Sequence, residues 1–288
     1  MEQSITTFTP CASLAALGCH LRQIKLFDVV RQQVHIAQKT MIHTPIDELY
    51  DCFISILAGA HGLCEVNTLL RSDVALQQAF GRTACAEQST IQDTLNACSP
   101  STVAELTAAL TSIFRTHSQA YRHPYTTDYQ LLDVDLSGLP RGSKAALASK
   151  GYFPKQRNRR GRQLGRVVAS RYGEIVTDQL FEGRTALVTA LQPLLEAAEQ
   201  VLNLEQDTRA RTIVRLNSGG GSIADINWLL ERGYQVHTKR GGIKSGFERA
   251  QPFAGVLGAG PQPLAAQAIR AAKWPPAAQA NGGFHGYS

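Results

Sequence analysis

The chain has 288 residues, 43% of them hydrophobic, and its 29 Lys and Arg against 23 Asp and Glu give a net charge of +6 and a pI near 9.1. That length is enough for roughly two domains with sizeable cores, which excludes a short chain dependent on disulfides or metal for its stability. The basic balance favours a polyanionic partner such as nucleic acid.

The first ten residues include Glu2 and no basic patch, and the apolar stretch around Cys11 to Cys19 is short and runs straight into charges. Neither a leader nor a membrane span is expected, so the expected place is the cytoplasm, with no membrane partner. The six cysteines, at 11, 19, 52, 64, 85 and 98, form no Cys-x-x-Cys pair. His61 and Cys64 have a ligand spacing but no second pair at zinc-finger distance, so buried free thiols are expected.

From about 10 to 123, apolar residues recur every three to four positions, in Ile46–Ala58, Val74–Phe80, Ile91–Ala97 and Val103–Phe114, as amphipathic helices require. Pro100, Ser101 and Glu105 mark a helix start. Within this region Ser72–Phe80, Gly81 and the polar run Glu87–Asn96 read as helix, glycine turn and second helix. This is the layout of a helix-turn-helix, whose second helix reads the major groove. A plain helical bundle is the alternative.

From about 127 the period changes. Strands are expected at 129–136, 163–171, 173–181, 211–216 and Tyr234–Thr238, with helices at Thr185–Leu202 and Ile223–Leu230, and glycine stands at the breaks 173, 183, 219–221 and 233. The order β-β-β-α-β-α-β predicts a mixed sheet flanked by helices, the ribonuclease H-like arrangement. From about 240 the chain is rich in Gly, Pro and Ala without a sustained period, as in Trp274-Pro-Pro-Ala-Ala, which is the composition of a disordered tail. The expected organisation is therefore 1–126 helical and DNA-binding, 127–239 a partial ribonuclease H-like core, and 240–288 the tail. The fold class is α/β: a helical N-terminal region followed by an incomplete ribonuclease H-like mixed sheet.

Chemistry concentrates at three places in the sheet region. Asp133 and Asp135 interrupt the apolar run Tyr129–Leu136, and strict alternation puts both on one face. The strand 211–216 delivers Asn217 to a glycine turn, Ser218-Gly-Gly-Gly-Ser222, and ligands of open α/β sheets gather at such carboxyl ends. The turn lacks the Gly-Lys-Ser/Thr ending of a nucleotide-binding loop, so a tight strand-to-helix connection is its simpler role. Lys150, Lys155, Arg157, Arg159, Arg160, Arg162, Arg166 and Arg171 supply eight positive charges without an acid, a density suited to DNA phosphates. The bland alternatives are a solvated loop for the basic run, and turn caps or arginine pairs for the aspartates. Histidines 117, 123 and 237 have no catalytic spacing, and Glu174 and Asp178 read as the solvated face of a strand.

Taken together, Leu132-Asp-Val-Asp-Leu-Ser-Gly-Leu-Pro140, Lys150-Gly-Tyr-Phe153, Asn158-Arg-Arg-Gly-Arg-Gln163, Arg215-Leu-Asn-Ser-Gly-Gly-Gly-Ser222 and Trp228-Leu-Leu-Glu-Arg-Gly-Tyr234 resemble an insertion-sequence transposase with a DDE domain. The resemblance spans about residues 50–239. It implies a helical DNA-binding region before a ribonuclease H-like core, double-stranded DNA (the transposon ends) as partner, and Asp, Asp and Glu holding Mg²⁺ for cleavage and strand transfer. A homo-oligomer, or pairing with an intact transposase, is implied as well. By that match Asp135 is the first catalytic acid and metal ligand, with Asp133 in reserve. Two-metal phosphoryl transfer needs two or three such carboxylates.

The chain departs from the pattern twice. Asn217 stands at the position of the second acid and offers a carbonyl oxygen without charge. No acid on a downstream helix corresponds to the Glu, since Glu248 is the only carboxylate after 231. The expectation is a truncated or frameshifted transposase that has lost activity; the alternative is a non-catalytic DNA-binding remnant that competes with an intact enzyme.

Overall fold

The computed structural model describes residues 8–39, 42–153, 159–216 and 222–238. Asn217, Lys155, Arg157, Glu248 and the whole 240–288 segment lie outside the described residues.

The N-terminal region is helical, as its periodicity predicts: α1 (Ala12–Gln23), α2 (Asp28–Gln33), α3 (Pro45–Leu57), a 3-10 turn (Leu63–Glu65) leading into α4 (Val66–Leu69), α5 (Val74–Ala79), α6 (Gln88–Ala97) and α7 (Pro100–His117). Helix α3 starts where the sequence offers both a cap and a proline: the Thr44 hydroxyl accepts the Asp47 N–H at 3.1 Å, and Pro45 occupies the first turn. Its apolar stripe sends Tyr50 and Ile54 into a core with Val66, Leu70, Leu76, Phe80 and Ile91. Helix α7 is capped by Ser99, whose Oγ accepts the Thr102 N–H at 3.2 Å, and not by Ser101. Its Ala109 and Leu106 pack on Val30 of α2 and on Val34 just after it, while Phe114, farther along, packs on the sheet core.

After α7 come β1 (Gln130–Pro140), β2 (Ser149–Lys150), β3 (Arg160–Ala169), β4 (Glu174–Glu182), α8 (Leu187–Leu202), α9 (Gln206–Ala210), β5 (Thr212–Leu216), α10 (Ile223–Glu231) and β6 (Gln235–Thr238). The strands form one mixed sheet in the order β4-β3-β1-β5-β6. β1, β3 and β4 are antiparallel, β5 and β6 run parallel to β1, and β2 pairs with the start of β3 on its β4 side. This is the mixed α/β architecture with a helical N-terminal region that the sequence predicts. Two short elements, β2 and α9, went unforeseen because neither is long enough to show a period.

Helix α8 lies across one face of the sheet. Leu187, Leu191, Leu194, Leu195 and Leu202 bury against Leu132, Val134, Val167, Ala169, Val214 and Leu216, each large side chain contributing about 1.5–3 kcal/mol. Gly165 of β3 lets the helix approach: a Cβ there would stand 2.6 Å from Leu194 Cδ1 and 2.9 Å from the Phe181 ring.

Two carboxylates act as latches. Glu174, expected on the solvated face of β4, instead accepts hydrogen bonds from Ser118 Oγ at 2.5 Å and from the N–H groups of Gln119 and Ala120 at 3.0 Å, fastening the segment after α7 to the sheet. Alternation gave no hint of this, because its partners come from a loop. Glu199 of α8 takes a fork from Arg232 at 2.7 and 2.6 Å and the Tyr234 hydroxyl at 2.7 Å, tying α10 and β6 to α8. Burial would raise both carboxyl pKa values, but these hydrogen bonds outweigh it and hold both below the ordinary 4.5.

His123 is a satisfied core histidine, as expected. Nδ1 meets the Tyr172 hydroxyl at 2.8 Å, Nε2 lies 3.3 Å from the Asp128 carbonyl, and burial lowers its pKa from 6.5. All three groups have folded pKa values below their unfolded ones, so the unfolded chain binds more protons and stability rises with pH. The melting temperature should begin to fall below about pH 6.5 as unfolded His123 takes up a proton. It should fall more steeply below about pH 4.5, with Glu174→Gln and Glu199→Gln flattening the lower limb in a thermal-denaturation series. A flat profile between pH 7 and 3 would contradict this.

The cysteines depart from expectation. Among them only Cys85 is buried, with its thiol pushed up to about 12 by burial; Cys19 and Cys64 are exposed, and all six are free. No cluster of three or more His, Cys, Asp or Glu suited to a metal occurs among the described residues, so His61 and Cys64 gain no partners for a zinc site. No helix among these residues is long and apolar enough to cross a membrane.

Candidate nucleic-acid interface and carboxylate pair

Strand β3 explains the basic run. Gly161, Gln163, Gly165, Val167 and Ala169 are buried, which sends Arg160, Arg162, Leu164, Arg166 and Val168 to the opposite face. Lys150 of β2 is registered against Arg160, and Asp135 of β1 against Arg166. Directly opposed residues of antiparallel strands share a face. Lys150, Arg160, Arg162 and Arg166 therefore line the face that also carries Asp133 and Asp135. Arg159 is exposed just before the strand. The strand begins three residues earlier than its hydrophobic pattern suggests, because arginines occupy its solvent face while glycine and glutamine fill the inner one.

Arg162 and Arg166 differ in how far their guanidiniums are engaged. Arg162 Nε donates to the Ala146 carbonyl at 2.6 Å, and Arg166 Nε lies 3.9 Å from Asp178 Oδ2, too long for a hydrogen bond. Arg166 Nε is buried without a hydrogen-bond partner, although 43% of the side chain is exposed. Arg171 is elsewhere: it pairs with Asp128 at 2.6 Å beyond the end of β3. Tyr152 is 83% exposed, and Phe153 is buried beneath Gly138 and Gly161. Gln163 holds this corner by donating to the Tyr152 and Gly183 carbonyls at 3.3 and 3.2 Å.

The two aspartates share a face, as alternation requires, but differ in setting. Asp133 sits directly across from Arg215 of parallel β5 and receives a two-pronged hydrogen bond from its Nε and Nη2; the side chains are 30% and 37% exposed. This arginine pairing is the bland alternative for Asp133 realised in space. Asp135 is exposed, and its Oδ1 accepts the Leu136 N–H at 2.8 Å. Asp135 was expected at the strand end, yet β1 runs on to Pro140. The strand that ends near it is β5, whose last residue, Leu216, is level with Val134. Asp135 thus faces the level at which β1 loses its parallel neighbour, where ligands of α/β sheets collect.

As a magnesium centre the described donors do not suffice. One carboxylate is already neutralised by Arg215, the other stands opposite Arg166, and two-metal chemistry requires two or three carboxylates free to bridge. The described residues do not fit that group. No pattern along the chain announces Arg215 as the neighbour of Asp133: only the register of β5 against β1 brings them together.

The helical region presents a second surface. Helix α6 buries Ile91 and Thr94 and exposes Ser89, Gln92, Asp93 and Asn96 in one polar stripe. The connection from α5, residues 80–87, is longer than the three or four residues of a helix-turn-helix. It is fixed internally: Arg82 donates to Asp51 Oδ1 and Oδ2 at 2.7 and 3.2 Å, and Asp51 also accepts the Ala86 N–H at 2.9 Å.

No family model and no curated protein matches the chain. Among solved structures it is similar to a chain of the piggyBac transposase synaptic complex with hairpin DNA, at 13% identity and TM-score 0.38 over 78% of this chain and 50% of that one. It is also similar to the Mos1 transposase paired-end complex with left transposon end, at 12% identity and TM-score 0.26 over 75% of this chain and 65% of that one. The pre-cleavage Mos1 transpososome gives 10% identity and TM-score 0.26 over 80% and 78%. The chain spans half the length of the piggyBac protein and just under two thirds of the Mos1 chain of the paired-end complex. Likenesses of this size assign it neither a fold nor an activity.

Proposed function

We propose that this protein binds double-stranded DNA through the basic face of β2 and β3, as a DDE-type insertion-sequence transposase whose strand-cleaving activity has been lost. The observation that carries the reading is the placement of Lys150, Arg160, Arg162 and Arg166 on the same sheet face as Asp133 and Asp135. A transposase needs that juxtaposition, because the phosphodiester must lie beside the acids while neighbouring phosphates are gripped. Loss of cleavage rests on Asn217 at the second acid position and on the arginine fork that occupies Asp133. A DNA-binding remnant that occupies transposon ends, alone or paired with an intact transposase, is what such a chain would become.

The purified chain should shift duplex DNA with a steep salt dependence and leave it uncut with either Mg²⁺ or Mn²⁺. Asn217→Asp alone should stay inactive, since it restores one acid while Arg215 still holds Asp133. Nicking by the unaltered chain would overturn the loss of activity, and failure to bind any duplex at low salt would overturn the reading itself.

A further inference from the structure

At the end of α1 a pocket of about 200 Å³ opens between the first helices and the turn after α5. Its wall carries Arg22, Lys25 and Arg31 and one carboxylate, Asp28, over the rings of Phe27, Tyr50 and Phe80. We propose that it is a phosphate-binding site, occupied by a backbone phosphate of the DNA duplex; this rests on the DNA-binding reading above.

Three residues of the wall suit it to an anion. The first is the backbone of Lys25, which has φ of +54° where α1 ends in a glycine-type turn, with Leu26 N–H donating to the Leu21 carbonyl and Lys25 N–H to that of Arg22, both at 3.0 Å. A left-handed residue at this point favours glycine, and a lysine held there is strained. Lys25, which lines the pocket, thus stands where glycine would end the helix best.

The second is the guanidinium of Arg22. It lies against Gly81, where a Cβ would come within 2.8 Å of Nε, and Gly81 itself has φ of +77°. Arg22 Nη1 donates to the Gln78 carbonyl at 3.2 Å, which leaves most of its five donors for another acceptor. The third is Tyr50. The residue is only 4% exposed, it lines the pocket, and the Arg31 guanidinium stands over its ring at 5.2 Å. Burial raises the phenol pKa, the charges of Arg31, Arg22 and Arg82 pull it down, and that of Asp28 adds to the rise. A phenol on a wall that also carries Arg22, Lys25 and Arg31 is one more donor for an oxyanion.

The charges facing the pocket from every side keep it positive. Arg31 is shared with Asp47 at 3.1 Å and stacks over Phe27 and Tyr50 at 5.8 and 5.2 Å; Asp47 also takes Arg82 at 3.2 Å. Asp28 is the remaining acid, against Arg22 and Lys25. The pocket includes Phe80 and Gly81, the start of the connection to α6, so a phosphate held here would fix the orientation of the polar α6 stripe on the duplex.

The test measures binding of the full-length chain to a short DNA duplex by fluorescence anisotropy across a salt series, for Lys25→Gly, Tyr50→Phe and the double variant Arg22→Gln/Lys25→Gly. Lys25→Gly should melt at or above the temperature of the unaltered chain, because glycine relieves the strained turn, and yet bind DNA about three- to tenfold more weakly, with the salt slope lower by about one. The double variant should lose at least tenfold on every sequence tried, and Tyr50→Phe about threefold. Unchanged affinity and slope in the double variant would overturn the proposal. If the unaltered chain binds no duplex, the DNA reading fails by itself, and thermal shift with inorganic pyrophosphate becomes the test. A stabilisation lost in Lys25→Gly would then retain the pocket as a site for a free phosphate compound, and no stabilisation of the unaltered chain would eliminate it.

Discussion

Arg82→Ala is expected to destabilise the helical region by about 3–5 kcal/mol, the loss typical of stranding one member of a buried ion pair. Asp51 is fully buried and Arg82 is 8% exposed, and the guanidinium supplies two hydrogen bonds to the Asp51 carboxylate, which also accepts the Ala86 N–H. Without it a carboxylate remains in the core with the Ala86 N–H and the Cys85 thiol beside it. At about 2–4 °C per kcal/mol for a chain of this size, the melting temperature should drop by roughly 6–20 °C. Replacing both partners with leucine should recover most of the loss, because the pair's own net contribution is small against its desolvation. A single Arg82→Ala variant that melted within a degree or two of the unaltered chain would show that water reaches Asp51 and that the connection to α6 is held by its apolar contacts instead.

The second large effect concerns DNA. Replacing Arg160, Arg162 and Arg166 together with glutamine removes three charges from one face of β3 while leaving the inward residues Gly161, Gln163 and Gly165 as they are. At about 0.9 released counterions per phosphate, the slope of log affinity against log salt should fall by about 2.7. Taking about 1 kcal/mol for each exposed charge contact, affinity at low salt should drop on the order of 100-fold. The loss should be uniform across sequences, because contacts to phosphate position the duplex without reading it. A comparable loss on replacing Arg171 and Arg184 instead, both already paired with acids, would show that net charge alone governs binding.

How far the sequence could be read depended on whether the signal was local. Hydrophobic period is local, so the helices α3, α5, α6 and α7 and the strands β1, β3, β4 and β5 were legible to within a few residues. Boundaries slipped where a charged residue can sit on a strand's outer face, as Arg160 does, or where a strand outlasts its apolar pattern, as β1 does beyond Leu136. The composition of the sheet face was legible too: alternation placed Asp133 and Asp135 together, and a dense arginine run became a row on one side of β3 because its even-numbered residues are the basic ones.

Partners distant in sequence were not legible. Arg215 meets Asp133 only because β5 packs parallel to β1 in one register, Glu174 meets residues 118–120 only because β4 lies beside the segment after α7, and Arg82 meets Asp51 across 31 residues. The sequence by itself determined which residues are apolar and at what spacing, hence the elements, their order and the charge on each face. Tertiary structure alone decided which charges neutralise one another. Register and packing set those distances, and the energy of an ion pair depends on separation and burial that no pattern along the chain records.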